Sequence, residues 1–278
     1  MTTQSHNPTM AEFFGWRRHP FADARALSEP FLSAGDARLR PRILSLLSHA
    51  KSLAICGPSG IGKSTLARHL IAGLDPNHYR PVWLHYGGFN RSGLLKAAAQ
   101  RLGVDPRGRA IPLLMKVQHH ILQLSNAGKG VFPVFVLDDA HLAERESLLD
   151  LCSLMENPDR KTAAASVVLI GDETLHQKLR LHVLTPVRSR LTAVFPMQPL
   201  ADSETSAFMA HRIRRAKAPE TLFDADAVDM IAASCAGNRR QIMNMATLLL
   251  EEAFERQEKV VGAQTVVSCD YLENPGET

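Results

Sequence analysis

Cysteine, aromatic residues and long apolar runs are all scarce in this 278-residue chain, and each scarcity removes a class of function. The four cysteines, Cys56, Cys152, Cys235 and Cys269, stand far apart, with no CxxC pair and no histidine at zinc-finger spacing. They read as ordinary thiols of a reducing cytoplasm rather than a metal ribbon or a disulfide scaffold. No stretch approaches the roughly 18 uninterrupted apolar residues of a membrane span, and the first twenty residues lack the apolar run of a signal peptide. A cytoplasmic protein with no membrane partner is expected. No internal repeat, low-complexity tract or sustained heptad occurs, so the composition points away from solenoids and coiled coils. Neither sign of charge is in large excess: 32 Lys and Arg face 28 Asp and Glu, a formal +4 with a pI near 9.0. That balance is compatible with nucleic acid without requiring it.

What the chain does have is enough apolar residues, 45%, to bury a core of one large or two modest domains. Residues 1–12 are polar, and Phe13 to Phe21 form a compact aromatic and basic cluster whose rings need cover. Apolar residues recur at helical spacing from Arg38 to His49. Short apolar runs of strand type fall at 52–56, 81–86, 131–137, 165–170 and 194–199. Between them, helical patterns cover 64–74, 93–102, 111–127 and 145–156. Strands alternating with helices predict an α/β fold, a parallel sheet with helices on both faces. From Ala201 onward the strand signal stops, and three helices are expected at 203–217, 224–236 and 239–256. The expected organisation is an N-terminal segment over 1–37, a nucleotide-binding domain over 38–200 and a small C-terminal helical lid over 201–278.

Gly57-Pro58-Ser59-Gly60-Ile61-Gly62-Lys63-Ser64 matches GxxxxGK[ST], after an expected strand and before an expected helix. The bare pattern arises by chance in about one in a hundred chains of this length, and the flanking elements make coincidence rarer still. Glycines let backbone amides converge on phosphate oxygens, and the helix start adds a favourable dipole. Lys63 would neutralise the β and γ phosphates and Ser64 would ligate Mg2+, so the loop through Thr65 is the expected site for ATP. Downstream, Val134 to Leu137 is an apolar run ending in Asp138 and Asp139. Two carboxylates at the carboxyl end of a buried parallel strand fit a Walker B pattern, although a helix cap leading into His141 and Glu144 has the same residues. On the first reading Asp138 holds Mg2+ and Asp139 orients the attacking water. An aspartate is one methylene shorter than the usual glutamate. An error of roughly 1 Å in placing the water can cost about a hundredfold, so slow basal turnover is expected.

With the phosphate loop, Leu137-Asp138-Asp139-Ala140-His141-Leu142 and the helical tail in hand, the chain resembles AAA+ ATPases of the ExeA/TniB/MuB group. Phe14-Gly15-Trp16 followed by Pro20-Phe21 looks like that group's FGL…PF opening. Gly237-Asn238-Arg239-Arg240 stands where the group has Gly-x-Pro-Arg. The resemblance implies a P-loop AAA+ fold with a helical lid, and Arg240 as the sensor arginine that reaches the γ phosphate. Arg239 competes for that role because it replaces the expected proline. The same resemblance makes Arg188 and Arg190 candidates for a finger reaching a neighbouring subunit's nucleotide; two solvated arginines at a helix end are the alternative. It places the aromatic cluster beside the adenine, where a plain hydrophobic packing role is equally open. It also leaves the polar sensor after the fourth strand unassigned, since Gly171-Asp172-Glu173 replaces a simple amide or hydroxyl.

One branch of the group powers secretion and the other serves DNA transposition. The resemblance is to the second: a homo-oligomeric ring or filament on double-stranded DNA that recruits or stimulates a transposase. Arg91, Lys96, Arg101, Arg107, Arg109 and Lys116 could track phosphates, or could be solvated helix faces. A secretion-associated ATPase, a nucleotide-dependent switch of helicase-loader type and a small-molecule kinase are the competing functions. The helical tail argues against the kinase.

Overall fold

The computed structural model describes residues 9–22, 29–86, 91–107, 111–126, 130–157 and 162–269. The chain divides into two compact units. One comprises residues 34–58 and 63–198, the other residues 1–33, 59–62 and 199–278.

The larger unit is built on five strands: β1 (Ser52–Cys56), β2 (Tyr79–His85), β3 (Phe132–Asp138), β4 (Ser166–Gly171) and β5 (Leu191–Pro196). They pair in parallel in the order β2-β3-β4-β1-β5. Every residue of β1 and β4 is buried, and β3 is buried except at its ends. Hence their sequences run apolar without alternation, as strands covered on both faces must. The edge strands β2 and β5 alternate, and their bounds differ from those the apolar runs suggest. Polar Thr192 in β5 hides a strand start that the pairing of Leu191 with Ser52 makes plain. Phe135, Leu137, Val167 and Leu169 point into a core that the helices Arg91–Leu102, Leu113–Asn126 and Arg145–Ser153 help to close. Because all five strands are parallel, the ends of β1, β3 and β4 open on one edge, carrying Gly57, Asp138 and Asp172 respectively.

The smaller unit packs Met10–Phe14, Asp202–Ala216, Ala225–Cys235, Arg239–Glu255 and Ala263–Val267 around its own core. The N-terminal rings fill this core. Phe14 stacks on Trp16 at 4.9 Å between centroids, and Phe21 meets Phe223 edge-on at 5.7 Å. Arg212, itself buried, donates from Nε to the Pro20 carbonyl at 2.9 Å and from Nη2 to that of Ala22. The segment up to Ser33 is therefore part of the helical unit, and the helix Ala34–Ser48 opens the sheet unit.

Candidate functional site

The phosphate loop follows β1, and the helix Lys63–Ala72 begins on its lysine. Lys63 is 8% exposed, and its ammonium donates to the carbonyls of Gly57 and Pro58, each at 2.7 Å. Burial holds its pKa below the ordinary 10.5, opposed by the charges of Asp172, Asp138 and Asp139. Ser64 Oγ donates to Asp138 Oδ1 at 2.8 Å, so the two side chains proposed to share Mg2+ already meet. A hydroxyl and a carboxylate in contact, both hard oxygen donors, suit a small cation that keeps several of its own waters. The residues present therefore fit ATP and Mg2+.

Asp139 follows β3 in the left-handed region, φ 54° and ψ 38°, a conformation that aspartate tolerates better than longer side chains. Its Oδ2 lies 3.5 Å from His85 Nδ1, at the end of neighbouring β2. The 3-10 turn Ala140–Leu142 follows. It brings His141 Nε2 to 3.5 Å from Asp172 Oδ2 and leaves His141 Nδ1 buried with no partner among the described residues. Asp172 caps the helix Glu173–Leu179 by accepting from Thr174 N at 2.9 Å. Burial pushes its carboxyl up, but the Thr174 bonds and His141 outweigh that and hold the pKa low. From the same helix Lys178 donates to the carbonyls of His141, at 3.0 Å, and Ala143.

In the helical unit, which takes in Ser59–Gly62, the start of the helix Arg239–Glu255 lies on the loop backbone. Asn238 Nδ2 donates to Ser59 O at 2.8 Å and Arg240 N to Gly60 O at 3.0 Å. A Cβ on Gly60 would lie 2.3 Å from Asn238 Oδ1, and one on Gly62 would lie 2.9 Å from Arg239 Nη1; both glycines have positive φ. Arg239 is buried and donates to the Ile61 carbonyl, whereas Arg240 is exposed, with Nη1 3.4 Å from Ser59 Oγ. Of these two arginines, Arg239 is engaged with the loop backbone and Arg240 keeps an exposed guanidinium.

The finger candidates also part company. Arg190 is held within its unit, donating from Nε to Glu156 Oε1 at 2.9 Å and from Nη1 to Pro186 O at 2.7 Å. Arg188 is exposed and makes no hydrogen bond or ion pair among the described residues. Of the basic stretch, Lys96, Arg101 and Arg107 are exposed, while Lys116 is half-buried and donates to Arg107 O at 2.7 Å. Arg109 and the side chain of Arg91 lie outside the described residues. Sequence reasoning missed His85 and Lys178, which no motif flags because each reaches the site from an element distant in sequence.

Residues 45–179 match the family model described as an AAA domain. Over 250 residues, 88% of the chain, the sequence is 25% identical to General secretion pathway protein A of Aeromonas hydrophila, and the match covers 45% of that protein. The chain thus spans less than half the length of this curated relative. Among solved structures it is similar to the ORC2 protein of Aeropyrum pernix in ADPNP–ADP complexes, with a TM-score of 0.71 at 16% identity over 92% of this chain and 73% of that one. The ORC1 protein of the same organism, in complex with DNA, gives 0.69 at 18% identity over 91% and 69%. At these identities the structures establish the fold, a P-loop AAA+ sheet flanked by helices with a helical region after it. Residues 45–179, just under half of the chain, thus resemble an AAA domain.

Proposed function

We propose that this chain binds ATP with Mg2+, assembles on double-stranded DNA as a homo-oligomeric ring or filament, and recruits or stimulates a transposase while hydrolysing ATP slowly. One observation carries the DNA part. The sheet unit has 21 Lys and Arg against 12 Asp and Glu, a net +9, while the rest of the chain has 11 against 16, a net −5. A unit so strongly basic beside an acidic remainder fits a polyanion partner, because each neutralised phosphate releases condensed counterions. The fold shared with an ORC1 protein caught on DNA supports the same reading.

In the nucleotide site, Lys63 would move from the Gly57 and Pro58 carbonyls to the β and γ phosphates, exchanging neutral acceptors for charged ones. Ser64 and Asp138 would hold the metal, which supplies charge neutralisation across the phosphates. Asp139 would orient the water, Arg240 would read the γ phosphate, and Arg188 is the better placed of the two fingers because Arg190 is engaged. Transposition itself rests on the Asp-Asp-Ala-His and Phe-Gly-Trp resemblance.

A second reading, a secretion-associated ATPase, is favoured by the match to General secretion pathway protein A. Mobility of plain duplex DNA with ATP, ADP or no nucleotide separates the two. An ATP-dependent shift whose affinity falls steeply with salt is expected, with a slope of about −0.9 per phosphate contact. No shift with ATP at low salt would defeat the DNA reading and leave the secretion one standing.

A further inference from the structure

We infer that Lys178 is a positioning residue: it holds the turn after β3, and through that turn Asp139, in the geometry that ATP hydrolysis needs. The inference rests on the ATPase reading above. Leu142 N donates to Asp139 O at 3.0 Å and Ala143 N to Ala140 O at 3.2 Å, so the turn's own amides use the first two carbonyls. The carbonyls of His141 and Ala143 both accept from Lys178 Nζ. Backbone acceptors that are part-buried need such partners, and here a single ammonium supplies both.

Lys178 could have been an ordinary solvated lysine, and three observations speak against that. It is half-buried, its ammonium meets backbone carbonyls rather than a carboxylate, and burial lowers its pKa, so its charge has been drawn out of water to sit there. The helix that bears it is fixed at its other end by Asp172, which caps it and faces His141. The Glu173–Leu179 element thus grips the turn at two points, one through a side chain and one through the backbone. What the grip holds is a left-handed Asp139, a conformation that persists only where its surroundings over-determine it. Freed from Lys178, the turn can relax, and a carboxylate displaced by about 1 Å from its water costs on the order of a hundredfold in rate.

The test compares the full-length protein with Lys178→Met and Lys178→Arg by steady-state ATP turnover, by MgATP binding and by amide hydrogen exchange. Lys178→Met is expected to lower kcat about tenfold or more while the dissociation constant stays within about twofold, and Lys178→Arg is expected to recover most of the rate. Exchange at Leu142 and Ala143 should rise about tenfold in Lys178→Met, with β3 still protected. Unchanged exchange at those amides overturns the inference whatever the turnover does. So does a kcat equal to the parent's, or a kcat that falls only in step with loss of folded protein. A parent protein that hydrolyses nothing would instead refute the ATPase reading, and the grip would then be judged on the exchange data alone.

Discussion

Replacing Lys63 by Met should abolish nucleotide binding and yet stabilise the nucleotide-free protein. Lys63 is 8% exposed, and its pKa lies below the ordinary 10.5 because burial outweighs the attraction of Asp172, Asp138 and Asp139. A lowered lysine pKa means that the folded protein binds this proton less tightly than the unfolded chain does, so the charge destabilises the fold. Removing it costs the donors of the Gly57 and Pro58 carbonyls, about 1.5 kcal/mol each for bonds made by a charged group. It relieves an ammonium desolvation of several kcal/mol. Methionine matches the stem in volume, and replacing buried charge by apolar side chains is commonly neutral or stabilising by about 1–4 kcal/mol. We expect a gain of about 1 kcal/mol. The sign also fixes a pH dependence. The gap between variant and parent is full below the folded pKa of Lys63 and closes as pH rises through the interval up to 10.5, where both forms of the parent lose the proton. With MgATP at about a hundred times Kd the parent should gain about 2.7 kcal/mol and the variant nothing. Denaturant titrations at several pH values, with and without MgATP, read all of this. A Lys63→Met protein that is less stable than the parent without nucleotide refutes the reasoning, since the two carbonyl bonds would then outweigh the buried charge.

The parent should turn over ATP at less than one per second without a partner, and Asp139→Asn should lower this about a hundredfold while MgATP affinity holds; several turnovers per second from the parent would count against a misplaced water. Asp139→Glu gains a methylene of reach but must hold a longer side chain at φ 54°, at a cost of about 1 kcal/mol, so a rise of about tenfold rather than a hundredfold is expected in single-turnover assays. The thiols should be silent to a thiol-specific reagent at pH 8 until the protein unfolds. All four are buried, and burial pushes Cys152 up to about 12 and Cys56 and Cys235 up to about 11. Rapid labelling of the native protein at any of the three would contradict this.

How far the sequence could be read followed from where each signal resides. The central strands were legible because burial on both faces demands continuous apolar runs, whereas β5 was misplaced by three residues because an edge strand carries polar Thr192. The helix Glu173–Leu179 escaped notice, being only seven residues long and opened by a capping Asp172 that looks, in sequence, like a displaced polar sensor. Within the site, the phosphate loop is contiguous because one backbone must wrap one phosphate chain, so its spacing is written in the sequence. His85 and Lys178 carry no such mark. Parallel topology alone brings the ends of β2 and β4 beside the end of β3. The formal charge of +4 was legible too, but it misled: it is the residue of +9 on the sheet unit and −5 elsewhere, and only the fold assigns each charge to its unit.

Mg2+ is expected to be required for ATP binding and not only for chemistry. Asp138, Asp139 and Asp172 all act on Lys63, so one cation stands among three carboxylates before a triphosphate arrives. His85 faces Asp139 and His141 faces Asp172, each at 3.5 Å. An ATP that enters without metal therefore meets a net negative site, and each uncompensated carboxylate opposes it by about 1 kcal/mol at close range in water. A divalent ion held by Ser64 and Asp138 would reverse that balance. ATP should accordingly bind at least tenfold more weakly with EDTA than with Mg2+, and Asp138→Asn should shrink the difference by removing both a metal ligand and a repelling charge. Equal affinity with and without the metal would show that Lys63 and the loop amides suffice, and that the three carboxylates do not face the phosphates.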